Sequence, residues 1–437
     1  MDCVAVEHCI VRRTAARLTN PALVTSVRPA LLLKLLFPFR AYLAARGLLF
    51  PPRKAWSGPL DLDQLKQILM SPTEETPSGL IETFRTLEEV AASDRMPDVF
   101  DLAHRLGVLA VERPILSELD LLVEVWLKAP QEVEQIHAES LVNAPRKFYS
   151  YRAPGEGRLP DPNISTFRNN LLKSRLNAHF EAYLHGRNVE IQWFPQPREL
   201  WILIRHGGML RYEEILRKGK PSAIAFHPLS YDVAVIQLEH RELRLNAPTK
   251  RERERYRTAL AETLFGQGDL FSETDKYTLE PLRRPTADTL TCCDVECIHD
   301  VKLVELTVQY GQSKPEIQKN SSPDLLASLV ARQEAISPSG RLTEAVFKFW
   351  FHWDRPPRTV RIQAGNLATY VRDDDSDLVD EFFRKRGFVR PLFTPAQVDH
   401  VVAPAPGLHQ SPRNIGRLGP AVPVATRSLF DAGVAVS

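Results

Sequence analysis

The sequence predicts an α+β protein: a helical N-terminal domain, then an α+β body with two mostly antiparallel sheet segments and flanking helices. Three observations predict it. Leu80, Ile81, Phe84, Leu87, Val90 and Ala91 recur at helical spacing. Short apolar runs between turn residues fill Asn188–Ala247. A second series of strand-like runs, with helical stretches among them, fills residues 288–392. The chain has 437 residues, 43% hydrophobic and 25% charged. That composition belongs to a globular protein and excludes a wholly disordered one.

Residues 1–60 stand apart by composition. They carry nine Lys and Arg against Asp2 and Glu7, a net of +7, which leaves −5 for the rest of the chain. Residues 8–60 contain no Asp or Glu. The apolar stretch Pro29–Phe50 is broken by Lys34, Arg40 and Arg46, so it is too interrupted to span a bilayer. The expectation is a basic N-terminal extension, disordered or not native to the protein.

Residues 61–143 form a helical domain. One helix follows Pro77 and Ser78, a second ends at Gly107, and a third starts at Ser117. Residues 144–165, with four prolines and two glycines, are expected to be a linker. An α+β segment spans 166–287. It opens with a helix carrying Phe167, Leu171, Leu172, Leu176, Phe180 and Leu184 on one face and stopped by Gly186. Strands are expected at Glu190–Phe194, Glu199–Arg205, Ser222–His227 and Tyr231–Leu238, with Glu242–Leu245 closing a hairpin. Met209–Lys218 fits a short helix or a further extended piece. A charged helix follows from Thr249 to Leu264.

The second α+β segment, 288–392, contains strands at Ile298–Gln309, Leu342–Trp353 and Thr359–Gln363. Its last helix opens at Asp373, Asp374, Asp375 and Asp377 and closes with Lys385 and Arg386, an order that suits the helix dipole. Residues 393–437 are rich in Pro, Gly and Ala and are expected to be a disordered tail.

No phosphate-cradling or dinucleotide-binding glycine loop occurs, so no cofactor is expected. Five cysteines in a chain this long make no disulfide framework and point to reduced thiols in a cytoplasmic protein. A mildly acidic body gives a nucleic-acid partner no support from charge, and another protein is the expected partner.

Three sets of residues could carry chemistry. Arg205, His206 and Gly207 end the run LWILI. Around Leu200–Arg211 this resembles the strand-borne Arg-His-Gly triplet of the histidine phosphatase (phosphoglycerate mutase-like) superfamily. The resemblance implies His206 as a nucleophile taking a phosphoryl group, with Arg205 and Arg211 as clamps. The second histidine of that family, in a Ser/Ala-His-Gly setting, has no counterpart among His227, His240, His299 and His352. The second set is Cys293, Cys297 and His299, thiolate and imidazole groups of the kind that hold zinc. The third is a metal-dependent nuclease pattern, either Asp232 with Glu239 and Arg241 or Asp300 with Lys302 and Glu305. In the first version the customary lysine is an arginine, which does not deprotonate.

The sequence thus favours a non-catalytic macromolecule-binding, regulatory or assembly module. The alternative is a hydrolase of a phosphate ester or phosphodiester centred on Arg205 and His206.

Overall fold

A computed structural model describes residues 24–391, apart from 25, 52–59, 74, 109–116, 218, 284–286, 312–313, 353–355 and 373–374. The expected tail at 393–437, Cys3, Cys9, Asp373 and Asp374 lie outside the described residues.

The helical layer comprises α1 (Pro29–Leu36), α2 (Arg40–Ala45), α3 (Leu62–Met70), α4 (Ser78–Ala92), α5 (Met96–Arg105), α6 (Glu118–Lys128) and α7 (Pro130–Asn143). Its starts are set by local chemistry. Asp61 accepts from the Gln64 N–H at the head of α3, and Ser117 accepts from the Asp120 N–H at the head of α6. The basic stretch does not stand apart. Leu31, Leu33, Leu36, Leu43 and Leu48 are buried in one cluster with Leu65, Leu87 and Leu122. Its cations stay outside because α1 presents its leucines inward and leaves Lys34 exposed. The change of composition near Leu60 is therefore not a boundary of the core.

The body is built on a single ten-stranded sheet in the order β2-β3-β6-β7-β1-β12-β11-β10-β8-β9. The strands are β1 (Lys147–Arg152), β2 (Glu190–Pro195), β3 (Glu199–Gly207), β6 (Leu229–Gln237), β7 (Glu242–Asn246), β8 (Ile298–Tyr310), β9 (Glu316–Ser321), β10 (Arg341–Phe351), β11 (Arg358–Gln363) and β12 (Leu367–Thr369). Every neighbouring pair is antiparallel. The α+β class holds, and the two sheet segments prove to be halves of one sheet. A separate two-stranded ribbon, β4 (Arg211–Arg217) with β5 (Lys220–Phe226), is inserted between β3 and β6.

The joint between the halves lies where a linker was expected. Strand β1 pairs with β7 through Tyr149–Leu245 and with β12 through Tyr149–Leu367. Its Lys-Phe-Tyr-Ser-Tyr-Arg sequence puts Phe148 on one face and Tyr149 and Tyr151 on the other, as a central strand requires. The flanking prolines and glycines mark its ends.

Register assigns the faces. On the first face of the left half, Ile191, Leu200, Ile202, Ile204, Ala234, Ile236, Leu243 and Leu245 pack beneath α8 (Thr166–Ala182) and α9 (Lys250–Phe265). Helix α9 opens with a full capping box, Thr249 with Glu252, and ends at Gly266 in the left-handed region. On the second face, Trp201, Leu203, Val233 and Val235 meet Ala138 and Val142 of α7. In the right half the second face carries Leu303, Ala345, Phe347, Val360 and Ile362. They are buried with Leu325 and Leu329 of α10 (Leu325–Ala331) and Val379, Phe382 and Phe383 of α11 (Ser376–Lys385).

Candidate functional site

The Arg-His-Gly triplet does not converge. Adjacent residues of a strand point to opposite faces, and β3 continues through Gly207. His206 is on the first face, 3% exposed. Arg205 is on the second, with its guanidinium 5.9 Å from the Tyr231 ring centre. Arg211 is exposed at the start of the ribbon.

The surroundings of His206 favour its cationic form. Its Nδ1 lies 2.8 Å from the Gly207 carbonyl oxygen and its Nε2 3.0 Å from a carboxylate oxygen of Asp232. Both neighbours only accept, so both ring nitrogens donate. Burial alone would lower its pKa, but the Asp232 hydrogen bond and charge, with the Gly207 carbonyl, outweigh it and raise the pKa. Asp232 also accepts from the Tyr256 hydroxyl at 2.6 Å, and the imidazole stacks on Phe180 with ring centres 4.2 Å apart. Nucleophilic attack needs a neutral nitrogen with a free lone pair. His206 has neither.

What the triplet builds is the root of the ribbon. A Cβ at Gly207 would stand 2.3 Å from the His185 carbonyl oxygen, so only glycine fits there. The Gly208 N–H donates to the Pro228 carbonyl at 2.6 Å, and His227 Nδ1 donates to the Gly208 carbonyl at 3.0 Å. From this root β4 and β5 project as an arm. Tyr212 is 74% exposed and Leu216 75%, while Met209, Ile224, Phe226 and Leu229 are exposed around them.

The cysteines do not assemble either. Cys292 and Cys297 are half-buried, Cys293 is exposed, and all three are free thiols. His299 stacks on His352 with ring centres 5.6 Å apart. Among the described residues no group of three or more His, Cys, Asp or Glu could hold a metal ion. The nuclease patterns are likewise dispersed. Asp232 lies within β6 and Glu239 in the turn beyond it, Glu239 pairs with Arg198 at 3.4 Å, and Arg241 donates to the Pro154 carbonyl. Lys302 lies 3.8 Å from Asp300, but Glu305 pairs with Lys319 and Arg361.

A different set of groups converges at the seam between the halves. Glu242 and Arg244 share the second face of β7, and their side chains are 3.0 Å apart. Arg244 also pairs with Asp380 of α11, and Lys276 donates to Glu242 at 2.7 Å. Tyr370 donates to Asp380 at 2.7 Å. The backbone pins Lys276 in place: Tyr277 and Gly365 exchange N–H to carbonyl bonds of 2.7 and 3.0 Å, and the Arg390 N–H donates to the Lys276 carbonyl. All four charged residues are buried.

Two carboxylates and two cations balance one another inside the protein. Burial opposes ionisation of both acids, yet the adjoining Arg244 and Lys276 hold Glu242 and Asp380 well below the usual carboxylate range. Burial outweighs those carboxylates at Lys276 and lowers its pKa to about 8. Nothing in the sequence pairs Glu242 with Lys276 or Arg244 with Asp380. The one local hint is a pair of charges two residues apart in a strand that is otherwise apolar. No protein-family model matches this chain, and no curated protein is similar to it in sequence.

Proposed function

We propose that this chain is a non-catalytic assembly module that joins a second copy of itself through the β4–β5 arm. The observation that carries the reading is the exposure of Tyr212 and Leu216 on a ribbon that contributes nothing to any buried cluster. Exposed apolar surface of this kind marks sites of association.

Charge selects the occupant. Strand β4 carries Arg211, Glu213, Glu214 and Arg217, whereas β5 carries Lys220 alone, at its turn end. Strand edges that must stay free are usually guarded by charge, and past Lys220 the rest of β5, through Phe226, carries none. Antiparallel pairing of two β5 strands about Ala223 sets each Lys220 against the other copy's Phe226, so no like charges meet. Such a contact is self-complementary and closes with two-fold symmetry.

The test is sedimentation equilibrium of the full chain and of an Ile224→Lys variant. The expected result is a concentration-dependent dimer that the variant abolishes while the melting profile of the monomer is retained. A chain that stays monomeric up to about 100 μM, a concentration that reveals even weak association, overturns the reading. So does a dimer indifferent to the substitution.

A further inference from the structure

We propose that the cavity at the β6–β7 turn is a binding site for a phosphate group. It lies at the other end of β6 from the arm and rests on separate observations.

The cavity has a volume of about 210 Å³. Its floor is the buried Glu242, Arg244 and Lys276, whose charges are already balanced with the help of Asp380. Its rim carries three further guanidinium groups, Arg152, Arg241 and Arg384. None of them has a carboxylate partner among the described residues. Arg152 gives one N–H to the Arg390 carbonyl at 2.6 Å, and its Nε is buried without a hydrogen-bond partner. Arg241 gives two N–H groups to the Pro154 carbonyl, at 3.0 and 2.6 Å. Burial lowers the pKa of Arg152 and of His240, and the nearby exposed Arg384 adds to that at both while Glu242 opposes it. The acid on this rim, Glu239, is already taken by Arg198.

Beyond Glu242, whose charge favours that of Arg152 and is itself shared with Arg244 and Lys276, the rim guanidinium groups have no ion-pair partner among the described residues, and an anion between them would relieve their mutual repulsion. Guanidinium forks match phosphate oxygens two at a time, and three forks offer more donors than the two oxygens of a carboxylate can accept. The mouth is also open to a ligand's approach: Gly155 and Gly157 line it, both at positive φ, so their backbone meets the cavity with no side chain in the way.

The experiment is isothermal titration of the full chain with inorganic phosphate and, separately, with adenosine 5′-monophosphate at matched ionic strength. Arg241→Gln and Arg384→Gln are the variants, because neither residue holds an ion pair in the fold. Binding that each variant weakens at least about tenfold, as loss of a charged hydrogen bond should, is the expected result. Binding of both ligands assigns the site to the phosphate group alone. Binding of the monoester only assigns it to a phosphate carrying an organic substituent. No heat with either ligand, or equal affinity in wild type and both variants, overturns the proposal. A failed dimer test leaves it standing, since Ile224→Lys is remote from this rim.

Discussion

Strands β3 and β11 belong to one sheet and live in different surroundings. In β3, Leu200, Trp201, Ile202, Leu203 and Ile204 are all buried. Helices α8 and α9 cover one face and α7 the other. In β11, Val360 and Ile362 are buried while Arg361 and Gln363 between and beyond them are not. There the first face carries a polar ladder, in which Glu344 accepts from Arg361 and from Gln363 at 2.8 Å, and Glu305 pairs with Lys319. The difference teaches that an unbroken apolar run means cover on both sides, and alternation means one side is wet. It also explains why the helical layer docks on the left half: the right half offers no second apolar face.

The largest expected effect comes at the seam where the two environments meet. Arg244→Met would leave Glu242 and Asp380 buried without their shared cation. A loss of about 3–5 kcal/mol is expected, as for other broken buried pairs, read from urea unfolding. Recovery on adding Asp380→Asn, which leaves Glu242 balanced by Lys276, would assign the loss to uncompensated charge rather than to packing. Next comes the contrast between the halves. Leu203→Ala in the doubly covered strand should cost about 2–5 kcal/mol, whereas Glu344→Ala on the wet face should cost less than about 1 kcal/mol. Equal losses would end the distinction. The smallest effect is a slope with pH. The folded pKa of His206 is raised, so its contribution is complete below the unfolded value and is lost as pH rises through the folded one. Stability above neutral pH should therefore fall in the wild type and flatten in His206→Asn, with thermal melts across pH as the measure.

These contrasts also mark how far the sequence could be read. The run Leu200–Ile204, the helix ended by Gly266 and the alternating β11 were legible because their signals are local. Strand β1 was hidden by the prolines and glycines around it, although its aromatic alternation was in view. The face-to-face separation of Arg205 and His206 also followed from a strand's period of two, once LWILI was accepted as a strand. The seam was out of reach. Glu242, Lys276 and Asp380 come together through pairings among β7, β1, β12 and the segment at Tyr277, and no spacing along the chain encodes that. Within the candidate sites, the glycines of the arm's root could be seen but not their purpose.

Strand β1 sets an order of events during synthesis. It leaves the ribosome before either neighbour, acquires β7 first, and waits for Leu367 before its other side is closed. A nascent chain stalled or released between those two points carries a bare aromatic strand edge along the middle of what should be a continuous sheet. Translation past Leu367–Thr369 is thus what closes that edge.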